Sequence, residues 1–353
     1  MSARALIPHL HDWAHAAARL GPARSGGPSG GGDADLRPQG RSSTRSGISA
    51  QNWRRHVRAL AATGIAALTL AGCAPATGGS DAPQIIVTTN ILGDVATELV
   101  GDTAEVTTLM KRNADPHSFE ISAQEAAMLA DADLLVSNGL GLEEAVEQHL
   151  ETAADAGAER FVAGDHIDVL DYSEGAADPH FWTDPARMVD VVDALEEELV
   201  GIDGIDAAAV AENADAYRDD LAAVDAEMTA AFDAIPAGRR ALVTNHHVFG
   251  YLAERFDFEV VGAAIPGGST LASPSAADLE ELSTAITSAG VPTIFAESSQ
   301  PDRLMQVLAD EAGIEVDVAR LFTESLTQPG EGADTYLTML RENTRRISDG
   351  LTP

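Results

Sequence analysis

The chain predicts an α/β protein of two similar lobes, each with a parallel sheet flanked by helices, joined by one long rigid helix. Three observations carry this expectation. From Gln84 onward, short β-rich runs alternate with stretches whose apolar residues fall three and four apart, the pattern of strands and crossover helices. Residues 206–235 hold no Gly or Pro and are rich in Ala, Glu and Asp, which reads as a helix reaching roughly 45 Å. Finally, "IIVTTNILGDVATELVG" (85–101) is echoed by "RALVTNHHVFGYLAERF" (240–256), so two segments open with the same strand, Thr-Asn turn and helix.

In order, "QIIVTT" (84–89) is a strand and "NILGDVATELVG" a helix, and "AEVTTLM" (104–110) is again a strand. "SAQEAAMLADA" is a helix with Ser122 as N-cap and Glu125 three residues on, a capping box. "DLLVSNG" is a strand, "LEEAVEQHLETAADAG" a helix and "ERFVAG" a strand. Asp184-Pro185 supplies an N-cap and first-turn proline for a helix from Ala186 to the Gly-containing "GIDGID". The long helix follows, and "PAG" (236–238) stops it. The second lobe repeats the plan: "RALVT", "FEVVGAAI", "PTIFAES" and "IEVDV" are strands. "HHVFGYLAERF", "SPSAADLEELSTAITSAG", "PDRLMQVLADEAG" and "ADTYLTMLRENTRRISDGL" are helices. The expected divisions are a first lobe over 84–185, linker helices over 186–235 and a second lobe over 236–353. A cleft between lobes is the expected ligand site.

The N-terminal part has a different character. Residues 1–50 are rich in Gly, Ser, Pro and Arg without hydrophobic period, and read as a disordered extension. Arg54, Arg55 and Arg58 precede an apolar run of twelve, Ala59 to Leu70, too short to span a bilayer and flanked like a signal peptide. Leu70-Ala71-Gly72-Cys73 then looks like a bacterial lipobox, in which Cys73 is acylated and becomes the mature N-terminus. Residues 73–83 read as a flexible tether. These features place the mature protein outside the cytoplasm, anchored to the cell membrane through a lipid on Cys73.

The chain carries a formal charge of −34. Nine Arg and three Asp lie before Cys73, so the mature part keeps 13 basic against 53 acidic residues, a net charge near −40. Such a surface repels nucleic acid and anionic lipid. With its single Cys acylated, the mature chain has no disulfide and no thiolate for a metal.

Six His remain after Cys73: His117, His149, His166, His180, His246 and His247. Two of them stand behind the same dipeptide, in "DPHSFE" (115–120) and "DPHFWTDP" (178–185). Proline fixes its own φ and restricts the Asp before it, so each His sits on a stiff stem. Metal–ligand bonds tolerate errors of only about 0.2 Å and benefit from that stiffness. The Asp carboxylates can also hold the turn or a ring N–H. His117, His180 and His246 each follow a predicted strand on its carboxyl side, where open α/β sheets place ligands.

With these motifs the chain resembles the zinc/manganese-binding solute receptors of bacterial ABC importers, a family of metal-binding lipoproteins. The resemblance covers about residues 84–351 and rests on "DPHSFE", "DPHFWTDP", "ENADAYRDDLAAVDAEM", "VTNHHVFGYLAERF", "FAESS" and "LFTESLTQPGEGADTYLTML" in the family's order. It implies one divalent metal between the lobes, with Zn2+ favoured and Mn2+ the alternative. His117 and His180 match the first-lobe ligands. His246 matches a position that is His in zinc-type members, and Glu324 one that is usually Asp. The resemblance also implies a rigid spine helix, a permease and an ATPase as partners, a monomer, and no enzymatic activity. Many zinc members carry a His-rich acidic loop in the first lobe; nothing between His117 and His180 looks like one. Because adjacent side chains on a helix point about 100° apart, His247 is not expected to share an ion with His246. Glu297, at the end of a second-lobe strand, is the alternative carboxylate.

Two other classes compete. A zinc hydrolase needs an open metal position and a general base, yet the mature chain has no H-E-x-x-H and no G-x-S-x-G. "GLGLEE" lacks the third glycine of a dinucleotide loop, and "GGST" lacks the Lys of a phosphate loop. A binding lipoprotein or adhesin for a non-metal solute would want aromatic cleft residues, and aromatics are 5% of the chain.

Overall fold

The apolar residues of the strands alternate between two destinations, which makes each sheet a filled middle layer. In the computed structural model, which describes residues 82–352 apart from 174, 266 and 313–316, the first lobe opens with β1 (Gln84–Val87), α1 (Asn90–Val100) and β2 (Glu105–Thr108). There follow α2 (Ala123–Met128), β3 (Leu134–Ser137), α3 (Glu144–Asp155) and β4 (Arg160–Val162). These four strands are parallel in the order β2-β1-β3-β4. Ile85, Val87, Leu134 and Val136 face one apolar cluster, and Ile86 and Leu135 face another under α3. Burial on both faces is what parallel sheets require.

A small antiparallel hairpin, β5 (Asp171–Ser173) and β6 (Ala176–Ala177), leads into α4 (Pro185–Leu199) and α5 (Ala207–Asp233). The second lobe comprises β7 (Ala241–Thr244), α6 (Gly250–Phe256), β8 (Glu259–Ala263), α7 (Ala276–Ala289), β9 (Thr293–Glu297), α8 (Arg303–Ala312), β10 (Asp317–Leu321) and α9 (Tyr336–Leu351). Its order, β10-β9-β7-β8, is the first lobe's order with β7 in the place of β1. The internal echo in the sequence thus corresponds to the central strand of each sheet.

The helix ends follow their caps. Ser122 and Glu125 form the expected reciprocal box, Asp184 accepts from Ala186 N ahead of Pro185, and Asp206 caps α5 through Ala208 N and Ala209 N. Along α5, Val210, Ala214, Tyr217, Leu221, Val224, Met228 and Phe232 form a buried stripe at spacings of three and four. At 1.5 Å per residue the helix is about 40 Å long. It packs on α1, α4 and α9. One apolar cluster therefore runs from Ile85 through Leu221 to Leu351, shared by both sheets.

Two expectations need correction. "HHVFGYLAERF" is helical only from Gly250, so His246 and His247 lie on the loop between β7 and α6. The β5–β6 hairpin occupies a stretch between "ERFVAG" and Asp184 for which the sequence predicts no element. Of the strand expected at "IEVDV" (314–318), residues 314–316 lie outside the described residues, and the strand is described over Asp317–Leu321. Cys73, the signal segment and most of the tether lie outside the described residues. Among those residues no helix is long and apolar enough to cross a membrane.

Candidate metal centre

Each donor stands on a short, stiff segment just beyond a sheet. After β2, Asp115 Oδ1 accepts the backbone N–H of His117 at 2.9 Å. After the hairpin, Asp178 Oδ1 accepts the backbone N–H of His180 at 3.0 Å and meets its ring Nδ1 at 2.7 Å. The two Asp-Pro-His motifs thus fold into the same turn, closed by the Asp side chain. His246 stands two residues beyond β7, and Glu324 three beyond β10.

The four side chains converge. Glu324 Oε1 lies 2.9 Å from His117 Nε2, 3.2 Å from His180 Nε2 and 2.9 Å from His246 Nε2, and the Nε2 atoms of His117 and His180 are 3.3 Å apart. All four ligand atoms lie within 4.8 Å of one another, and all four residues are buried. Two nitrogens bound at about 2.0–2.1 Å to a tetrahedral zinc stand about 3.3 Å apart, so the spacing fits that ion. Trp182 lies edge-on to the His180 ring at 5.3 Å and walls one side.

The protonation chemistry points the same way. A neutral His180 whose Nδ1–H donates to Asp178 turns the lone pair of Nε2 toward the Glu324 carboxylate, and two acceptors face each other. Only a proton or a cation between them resolves this. Burial would depress the His180 imidazole, but the bonds to Asp178 and Glu324 outweigh it and raise it to about 9. Burial pushes His246 down, with the other two imidazoles adding to it against the pull of Glu324. Glu324, despite its burial, is held well below the usual carboxylate range by His246, His117 and His180. Its Oε2 is buried without a hydrogen-bond partner, as is His246 Nδ1. A carboxylate with one oxygen on three nitrogens and a second free can bind a cation through one oxygen or two.

The structure brings Glu324, not Glu297, to the three Nε2 atoms. Glu297 lies on the far side of the His246 ring, 3.6 Å from Nδ1, where it accepts from Asn245 Nδ2 at 3.0 Å and from Ser299 Oγ. Burial and the charge of Glu324 push Glu297 well up. His247 turns away and stacks against Tyr172, with ring centroids 6.3 Å apart. His149 and His166 are exposed and are not part of this cluster.

The bonds that carry Glu324 to the other lobe have no local signature in the sequence. Trp182 Nε1 donates to Thr323 O at 2.7 Å, Asn90 Nδ2 to Ser325 Oγ at 2.8 Å, and Leu326 N to Asn90 Oδ1 at 2.8 Å. Arg112 Nη1 reaches Thr327 O at 2.8 Å and Asp334 O at 2.6 Å. The "GLGLEE" loop is accounted for as well. Glu143 itself accepts Asn138 N at 2.7 Å, Gly139 N at 3.1 Å and Thr88 Oγ1 at 2.5 Å, filling the loop's amide cradle with the chain's own carboxylate.

Two α/β lobes on a common helix, with a nitrogen-rich donor set buried between them, define a two-lobed solute receptor with a cleft suited to a divalent transition metal. The chain belongs to the ZnuA family, described as zinc-uptake complex component A, periplasmic, whose model matches residues 85–350. Among curated relatives, the manganese-binding lipoprotein MntA of Halalkalibacterium halodurans is 27% identical over 293 residues, 82% of this chain and 96% of that protein. The zinc-binding protein TroA of Treponema pallidum is 30% identical over 291 residues, 79% of this chain and 93% of that protein. The solved structure of periplasmic TroA superposes with a TM-score of 0.73 at 28% identity, covering 77% of this chain and all of the other.

Proposed function

We propose that this protein captures a divalent transition metal outside the cytoplasm and delivers it to the permease and ATPase of an ABC importer. The observation that carries this reading is the convergence of three Nε2 atoms on one oxygen of Glu324 at 2.9–3.2 Å. His117, His180, His246 and Glu324 bind the ion, and zinc is the favoured cargo. Three imidazoles and a carboxylate suit zinc, whereas manganese prefers more oxygen donors, and at a given site the Irving–Williams order also ranks zinc above manganese. The second oxygen of Glu324 is what would accommodate manganese. The protein acts as a monomer and as a carrier rather than an enzyme: four protein donors close the coordination sphere and leave no position for an activated water. Residues 84–185 and 236–353 are the two receptor lobes, and 186–235 the linker.

Two measurements test this. Elemental analysis of untagged protein, followed by zinc–manganese competition, is expected to give one zinc per chain. Removing any one of His117, His180, His246 or Glu324 as Ala is expected to weaken zinc at least tenfold, while His149→Ala changes nothing. Undiminished binding in all four variants would overturn the site. Cys73 carries the lipid anchor, since two or three acyl chains hold a protein to a membrane where one does so only marginally. Cys73→Ala is expected to move the protein from the membrane fraction to the soluble one, and unchanged fractionation would exclude that anchor.

A further inference from the structure

Asp115 does two jobs at once. Its Oδ1 fixes the turn that presents His117. Its Oδ2 accepts from two side chains of the other lobe, Thr270 Oγ1 at 2.6 Å and Gln300 Nε2 at 2.7 Å. All three residues are part-buried or buried, and Asp115 is only 8% exposed. Both partners belong to the body that carries His246. The segment leading to Thr270 brackets His246 on either side, through Ile265 N to Asn245 O at 2.6 Å and His247 N to Gly267 O at 3.2 Å. Gln300 follows β9 three residues after Glu297, whose carboxylate holds Asn245.

The buried junctions around Glu324 and α6 rest largely on backbone groups. The Glu324 segment is bonded to Asn90, Arg112 and Trp182 mainly through the backbone groups Leu326 N, Thr327 O and Thr323 O, with Ser325 Oγ on Asn90 beside them, and α6 is fixed to the first lobe by Tyr251 Oη on Asp178 O at 2.8 Å. These are continuous with the shared apolar cluster. The Asp115 junction is held by side-chain bonds from two loops, beside Tyr172 resting on Gly268, where a Cβ would come within 2.8 Å of the ring.

We propose that Asp115, Thr270 and Gln300 form a latch that closes the cleft over the bound ion, so that breaking it opens the edge of the site between His117 and His246 and sets the rate of metal release. Asp115 is a positioning residue that couples the His117 turn to closure. A bond to a carboxylate within a shielded cleft contributes more than one between neutral groups, so each arm slows release by about tenfold or more. The latch acts after the ion has entered and therefore leaves the rate of capture nearly unchanged.

The proposal rests on the metal-receptor reading, and the test separates the two. Zinc-loaded native protein, Thr270→Val and Gln300→Leu are mixed with excess chelator and release is followed in time; capture is timed separately by stopped flow. The expected result is release at least tenfold faster in each variant, and faster still in the double variant. Capture should stay within about threefold, and Thr270→Ser should restore native release. The melting temperature of the metal-free protein should stay within a few degrees, because both bonds lie at the cleft edge. Unchanged release, or slower binding that arises from capture alone, would overturn the latch, as would a metal-free variant that melts far lower. Native protein that takes up no zinc would instead overturn the receptor reading.

Discussion

Asp178 shows how one side chain can prepare a histidine to bind a metal. Its Oδ1 holds both the backbone N–H and the ring Nδ1 of His180, which leaves Nε2 free to point at Glu324. A carboxylate behind an imidazole fixes the tautomer and makes the far nitrogen a stronger donor. Asp178→Asn keeps an acceptor for the turn but removes the charge, and zinc affinity measured by chelator competition is expected to fall about 10- to 100-fold. Affinity within twofold of native would mean that Asp178 serves the turn alone. At this scale the sequence was informative where a donor sits on a local motif. The two Asp-Pro-His steps mark His117 and His180, and the structure builds both turns through the Asp. Glu324 and Glu297 have no such mark: Glu297 ends β9, and Glu324 lies three residues past β10. Only the family resemblance favoured Glu324, because the bonds that carry it to the cluster join residues 141 and 235 positions apart.

The elements were legible in proportion to how local their causes are. The capping box at Ser122, the Asp184-Pro185 start and the Asp206 cap lie within a few residues of the helices they begin, and each helix begins there. The helix at "HHVFGYLAERF" was read four residues too long because its start is set by tertiary contact. Gly250 opens α6 against Asp178, where a Cβ would sit 2.4 Å from Oδ2. The preceding His-His-Val-Phe segment is therefore drawn out as loop, with Thr244 Oγ1 donating to His246 O at 2.6 Å. That extension lets His246 face the cluster while His247 packs against Tyr172. The β5–β6 hairpin escaped notice for a similar reason: three and two residues carry no readable period.

For the whole molecule, the joint between lobes includes a carboxylate whose charge the fold disfavours. Asp94 of α1 accepts the backbone N–H of Tyr336 at 2.8 Å, at the first residue of α9. An anion at a helix N-terminus is ordinarily favourable. Here burial raises Asp94 to about 6, with Glu98 and Asp334 adding to it against the Tyr336 bond and Arg112. The sign follows directly. A folded value above the unfolded 3.8 means that the folded state holds the proton more tightly, so the stabilisation is complete below about 3.8 and is lost as pH rises through about 6. Asp184, also raised to about 6 by burial, acts in the same direction. Glu342, lowered to about 2 by Arg345 and Arg346, acts oppositely, losing its stabilisation as pH falls from about 4.5 toward 2. His246 and His247, lowered by burial, act the other way below about pH 6.5, so the contribution of Asp94 is read from the difference between native protein and a variant. Asp94→Asn keeps the acceptor for Tyr336 N and removes the charge. It is expected to exceed the native protein by about 1–2 kcal/mol at pH 8, discounting for partial exposure a shift whose full value is nearer 3 kcal/mol, and to match it near pH 4. Thermal melts of both proteins across pH 4–8 check this, and parallel curves would show that Asp94 carries no part of the pH dependence.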